Sequence, residues 1–135
     1  MAFRVDLLDE EGLGGISGRS ATRLCALAFS EMGHDPAGLG EVSVVLVGAE
    51  EMRGLNSRFR DRDYATDVLS FTMDGPGGEM VGEIVICPEA AEMKLDELVV
   101  HGTLHLCGLD HGDDFEASEM SGIQRRVMEE ALKAG

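Results

Sequence analysis

Tryptophan is missing from this chain and tyrosine occurs once. With five phenylalanines, aromatic residues make up only 4% of its 135 positions. The volume of any core must therefore come from Leu, Val, Ile, Ala and the eight Met. Long apolar runs are missing too. None approaches the roughly 20 residues that a membrane-crossing helix needs, so no helical span and no membrane partner are expected. The first residues, MAFRVDLLDEEG, carry acids where a basic and then apolar leader would lie, so no secretory signal is expected. Cysteine is confined to Cys25, Cys87 and Cys107, an odd number scattered through apolar segments. That pattern argues against a disulfide framework and for reduced thiols in the cytoplasm. Positive charge is also scarce, with 11 Lys and Arg against 26 Asp and Glu and a net charge of -15. The field of such a protein repels phosphate, which disfavours loose binding to nucleic acid or an anionic membrane. DNA is not an expected partner.

What is present reads as one compact α+β domain spanning residues 1–135, long enough to bury a core without staples. Phe3 to Leu8 reads as a strand, ended by an acid and glycine run. A helix follows from about Ser17 to Met32, with Ala21, Leu24, Cys25, Ala28 and Met32 at helical spacing and Gly33 as its stop. Glu41 to Val47 is dense in β-branched residues, as expected of a strand covered on both faces. A second helix runs from about Ala49 to Phe59, with Met52, Leu55, Asn56 and Phe59 as its inner stripe. Asp67 to Met73 and Gly82 to Cys87 are two further strands. The short turn DGPGG between them suits antiparallel neighbours, so a mixed sheet of about four strands is expected. Pro88 opens a short helical turn. Leu95 to Cys107 is apolar on nearly every side and predicts a buried helix stopped by Gly108. A last helix, from about Phe115 to Leu132, turns Met120, Ile123, Val127 and Ala131 inward.

The segment HGTLHLCGLDH places three of the four histidines within eleven residues. On a helix, positions four apart share a face, so His101 and His105 present their rings side by side. The turn after Gly108 can bring His111 to the same point. Three neutral nitrogens converging this way make an open tetrahedral site that favours zinc, although ligand type alone also admits nickel, copper or iron. Burying three imidazoles with no cation would leave several polar nitrogens in need of partners, so the metal reading is preferred to three core histidines. Cys107 lies on the opposite side of the helix and reads as core filler. Asp110 either orients a ligand ring or caps the turn. Glu97, one turn before His101, reads as a solvated helix residue, and His34 as a surface turn residue.

The spacing of His101, His105, Gly108 and His111 matches the metzincin protease motif H-E-x-x-H-x-x-G-x-x-H. In those enzymes the Glu after the first His is the general base. Here that position is Gly102, so peptide hydrolysis by that route lacks its base. A dication held by three neutral ligands keeps its full charge, acidifies bound water and polarises a phosphoryl oxygen, which favours anionic substrates. Arg53, Arg58, Arg60 and Arg62 cluster in RGLNSRFRDR. They read either as a local phosphate site or as solvated groups paired with Asp61 and Asp63.

HGTLHLCGLDH resembles the H-G-x-L-H-L-x-G-x-D-H signature of the bacterial YbeY family of rRNA maturation endoribonucleases. LNSRFRDRDYATDVLSF is similar to that family's second motif, and GEIVIC and the final helix fall in the family's order. The resemblance implies a zinc-dependent endoribonuclease specific for single strands. It would act in 3′-end maturation of small-subunit rRNA and in ribosome quality control, with one Zn2+ per chain. By position, His101, His105 and His111 would be the metal ligands, and Arg60 and His101 the residues tied to catalysis. Asn56, Thr66, Asp67 and Ser70 would line the groove or support it, while Val68, Leu69 and Phe71 read as inner strand residues. Two departures stand out: a shortened PEAAEMKLDEL before the metal helix, and Leu109 in place of a frequent aromatic. The alternatives are a non-catalytic, zinc-stabilised assembly factor docking rRNA or a ribosomal protein of the small subunit, and a metal hydrolase of small substrates.

Overall fold

The computed structural model describes residues 3–34, 40–77, 79–111 and 114–133. Strand β1 (Arg4–Leu8) leads to helix α1 (Gly18–Glu31), which is followed by β2 (Glu41–Leu46) and α2 (Ala49–Arg60). A hairpin of β3 (Val68–Asp74) and β4 (Met80–Ile86) comes next. A 3₁₀ turn (Pro88–Ala90), α3 (Leu95–Leu106) and α4 (Glu119–Lys133) complete the chain. The sheet has the order β1-β2-β4-β3. β1, β2 and β4 run parallel, and β3 pairs antiparallel with β4. The mixed sheet and the hairpin are as the short turn implied. Gly78 of that turn lies outside the described residues. Among the described residues, no helix is long and apolar enough to cross a membrane.

Alternation along the strands divides the protein into three layers. Val42, Val44 and Leu46 of β2, with Ile84 and Ile86 of β4, face a large core built with α1, α3 and α4. The opposite face of the sheet is covered by α2 through a smaller cluster of Val47, Met52, Leu69, Val85 and Cys87. Both faces of β2 are thus covered, the α2 side less fully, with Ser43 and Val45 half-buried. Cys25, Cys87 and Cys107 are free thiols. Burial pushes the Cys25 thiol up to about 11 against a weaker opposing hydrogen bond from Thr103, and burial raises Cys107 to about 11 as well. As expected, Cys107 packs against the core.

Several boundaries and some burial assignments differ from the sequence reading. β4 begins at Met80 rather than Gly82, because its pairing with β3 extends to Asp74. Asp67 lies outside β3, although its carbonyl still accepts from the Cys87 amide at 2.9 Å. The last helix starts at Glu119 rather than Phe115, after a turn in which the Ser118 hydroxyl accepts from the Ser121 amide at 3.2 Å. Phe59, expected on the inner stripe of α2, is 61% exposed and meets Phe71 edge-on, with ring centroids 5.2 Å apart. Helical periodicity placed it inward, but the small α2 layer ends before it reaches that turn.

Helix α3 lies between the sheet and helices α1 and α4, and every residue from Leu98 to Leu104 is buried. Its approach to the sheet depends on Gly102. The Ser70 hydroxyl of β3 donates to the Gly102 carbonyl at 3.1 Å. A Cβ at Gly102 would stand 2.6 Å from Ile84 Cγ2 and 3.2 Å from Ser70 Oγ. This contact also explains why the metzincin glutamate has no counterpart here: a carboxylate at this position would be driven into the sheet.

Replacing Gly102 by alanine would gain about 1 kcal/mol of helix propensity. Ile84 is fully buried and has no room to yield, so an overpacking cost of about 1–3 kcal/mol prevails. Gly102→Ala is expected to lower the thermal midpoint of the metal-free protein by several degrees. An unchanged midpoint in a calorimetric scan would show that α3 can lift from the sheet at no cost.

Candidate metal centre

The three histidines of the signature converge. Each offers one ring nitrogen to a common point, and these nitrogens lie within 4.8 Å of one another. His101 and His105 come from successive turns of α3 and approach through their Nε2 atoms at 3.2 Å. His111 returns from the following loop and sets its Nε2 3.2 Å from that of His101. The return is made by a Schellman turn at the end of α3. Gly108, with φ +94°, holds the left-handed position. Its amide donates to the His105 carbonyl at 2.9 Å, and the Leu109 amide donates to the Leu104 carbonyl at 3.2 Å.

The far side of each helix-borne ring fixes its tautomer. His101 Nδ1 faces Gln124 Oε1 at 3.0 Å, and that amide is itself oriented by its Nε2 donating to Met93 Sδ at 3.6 Å. An amide oxygen only accepts, so Nδ1 of His101 carries the proton. His105 Nδ1 donates to the Leu109 carbonyl at 2.9 Å, which likewise only accepts. Both Nε2 atoms are therefore bare lone pairs facing each other at 3.2 Å. Two acceptors at that distance repel unless a positive charge lies between them. A tetrahedral ion with bonds of about 2.0–2.1 Å separates its ligand nitrogens by about 3.3 Å. The donor set thus fits a cation of that size.

Electrostatics favour the ligating form. Burial pushes His101 down to about 4, helped by the neighbouring His105 and opposed by Gln124. Burial also lowers His105, against the pull of the Leu109 carbonyl. Both shifts favour the neutral ring, the form that binds an ion. Phe115 closes one side, with its ring centroid 4.8 Å from that of His101 and 5.0 Å from that of His111.

The site opens into a cleft of about 640 Å³ whose walls include Asn56, Arg60, Arg62, Tyr64 and Asp67. Arg60 reaches the cleft from the end of α2, where its charge contributes to lowering His105. The other arginines divide between the two readings. Arg53 forms a surface ion pair with Asp63 at 2.8 Å, and Arg58 lies 5.8 Å over the Phe59 ring. Arg62 and Arg60 line the cleft. Asn56 acts as support: its Nδ2 donates to the Tyr64 carbonyl at 2.9 Å, and the residue is 1% exposed. Ser70 is likewise structural through its bond to α3, while Thr66 and Asp67 line the cleft. Asp110 accepts from the His111 amide at 2.8 Å, which is the turn-capping role. Glu97 is half-buried and, among the described residues, no carboxylate joins the three converging nitrogens. His34 is exposed and touches Phe29 edge-on.

Two contributors were missed in the sequence, Gln124 and Phe115. Gln124 had a readable signal. It is a polar residue on the inward stripe of α4, four positions after Met120 and three before Val127, and it is 5% exposed.

The model of the endoribonuclease YbeY family matches residues 19–132. The endoribonuclease YbeY of Rubrobacter xylanophilus is 59% identical over 130 residues, covering 96% of this chain and 96% of that one. The protein of the same name from Stutzerimonas stutzeri is 38% identical over 123 residues, covering 80% of this chain and 74% of its own. A solution structure of a Thermotoga maritima protein aligns with a TM-score of 0.59 and 29% identity, over 96% of this chain and 90% of that one.

Because Gln124 orients His101, Gln124→Ala should weaken the binding of an added divalent cation by about 10- to 100-fold, as measured by competition with a chromophoric chelator. Equal affinity in the variant and the parent would mean that helix geometry alone aims the ring.

Proposed function

This chain belongs to the YbeY endoribonuclease family, and on that premise we propose that it cleaves single-stranded RNA with one zinc ion held by His101, His105 and His111. We take residues 1–135 as one domain of that kind. Its place is the cytoplasm, in 3′-end maturation of small-subunit rRNA and in ribosome quality control, with the small subunit or its proteins as partners. The observation that carries this reading is the pair of bare Nε2 atoms facing each other at 3.2 Å, at the floor of a cleft that also holds Arg60. Zinc is favoured because three imidazoles with an open fourth position are its usual catalytic surroundings.

When bound, the ion supplies Lewis acidity, lowering the pKa of a coordinated water and polarising a phosphoryl oxygen. The protein's own groups do the rest. Gln124 and the Leu109 carbonyl hold the two helix-borne rings with their protons turned away from the cleft. Arg60 faces the same cleft with a fixed positive charge and places it against the phosphodiester, where negative charge grows in the transition state. Phe115 shields the back of the site from water. His101 belongs to catalysis through its position at the centre, in contact with both other histidines.

A second reading is a zinc-stabilised assembly factor without catalysis. It draws support from the net charge of -15, which suits docking to basic ribosomal proteins. The two separate cleanly. Zinc-loaded protein, Arg60→Ala and His105→Ala are incubated with a single-stranded RNA after stringent removal of contaminating nucleases. We expect Arg60→Ala to bind zinc normally and to cut about 10²- to 10³-fold more slowly. His105→Ala should lose stoichiometric zinc and cutting together. Equal cleavage by all three would remove the catalytic reading.

A further inference from the structure

We propose that Tyr64 is a stacking platform for one unpaired nucleobase beside the metal centre, so that the cleft selects single strands through a ring as well as through charge. This role rests on the RNA-cleaving reading above and deepens it by assigning a recognition element apart from the three histidines and Arg60.

Tyr64 is 50% exposed and lines the same cleft as His101, His111 and Arg60. Its surroundings differ from those of the other aromatic residues. Phe29 is wholly buried and meets Phe3 edge-on. Phe59 and Phe71 pack on each other, and Phe115 packs on two histidines. Among the described residues, no ring packs on Tyr64. The half-exposed residue forms part of the cleft wall.

The segment that presents the ring is held from three directions. The buried Asn56 side chain grips the Tyr64 carbonyl at 2.9 Å, and the Asn56 carbonyl accepts from the Arg62 amide at 3.3 Å. Asp61 turns the chain out of α2 in the left-handed conformation, at φ 56°. Arg53 clamps Asp63 with two bonds of 2.8 and 3.1 Å. The ring itself is fixed at its rim, where Arg62 Nη1 donates to the Tyr64 hydroxyl at 3.1 Å. That bond restrains the ring at its hydroxyl and does not itself occupy a ring face. An aromatic positioned in advance loses little freedom on binding.

Charge explains why such a ring is needed. With a net charge of -15, the protein as a whole repels a polyanion, and attraction is left to local basic groups such as Arg60 and Arg62 in the cleft. Their attraction is screened within roughly 8–10 Å at ordinary salt. Stacking on an uncharged ring is not screened, and it contributes roughly tenfold to hundredfold in affinity per base. A base within a duplex is already stacked and would first have to be pulled out, whereas an unpaired base is free to move onto Tyr64.

The chain provides its own probe. It has one tyrosine and no tryptophan, so its intrinsic emission reports on Tyr64 alone. Zinc-loaded protein is titrated with a phosphorothioate oligouridylate, which resists cleavage, with correction for absorbance. A matching abasic backbone and a duplex of the same length serve as comparisons. Emission should be quenched saturably by the oligouridylate and not by the other two. In fluorescence anisotropy with labelled RNA, Tyr64→Phe, which keeps the ring and loses only the rim bond to Arg62, should bind within a few-fold of the parent. Tyr64→Ala should bind tenfold or more weakly, and the loss should persist at raised salt. RNA that binds with unchanged emission, and binds Tyr64→Ala as tightly as the parent, would refute the platform and leave the RNA-cleaving reading intact. Equal quenching by the duplex would also refute it. No binding of any RNA would overturn both.

Discussion

Two nitrogen lone pairs set against each other, at the Nε2 atoms of His101 and His105, are the constraint to which the rest of the molecule answers. Left alone they would repel, and rotation of either ring would relieve the strain. Rotation is blocked because each ring is tied on its far side, one to Gln124 and the other to the Leu109 carbonyl. Those ties come from different sources: a side chain on α4, and the backbone of the turn that ends α3. The two lone pairs are therefore held aimed at one point, where a cation would join them. Partners on the far side that settle tautomer and aim are what distinguish a metal site from a chance cluster of histidines.

The helix that carries this pair is the most enclosed element of the protein, which keeps the ligands in place. Leu98 to Leu104 have neighbours all round, and Gly102 brings the helix backbone against β3 and β4. A side chain on α3 at that position would collide with Ile84 and Ser70, so a general base there is disfavoured. The chemistry must therefore draw its second charged group from elsewhere, and α2 together with the loop after it supplies the opposite wall. Burial of the rings and the exposed arginine belong to one arrangement. The first secures neutral ligands, and the second places positive charge where an anion can enter.

The acidity of the chain becomes intelligible in the same terms. A net charge of -15 disfavours loose attraction of polyanions, against which the cleft sets the local positive charge of Arg60 and Arg62. Selection by shape and stacking gains weight when general electrostatic attraction is removed. The loop after α2 is correspondingly well tied, with Asn56 bonded to it through both backbone and side chain.

Much of this was legible before any coordinates. Local periodicity located the helices and strands, the four-residue spacing paired His101 with His105, and Gly108 marked the return that brings in His111. The substitution of Gly102 for a glutamate already spoke against a protease. Local pattern could not say that Gln124 reaches His101 across 23 positions, or that Leu109 acts through its carbonyl rather than its side chain. It also could not tell that Asn56 supports a loop, or that Phe59 overhangs the α2 layer. These depend on which elements lie side by side and where a layer ends. The elements and the trio of converging histidines could be read from the sequence, because periodicity and spacing act over one or two helical turns. Tertiary structure alone decided the tautomers, the cleft and the exposure of Tyr64, because those arise from contacts between segments whose order along the chain does not reveal their neighbours.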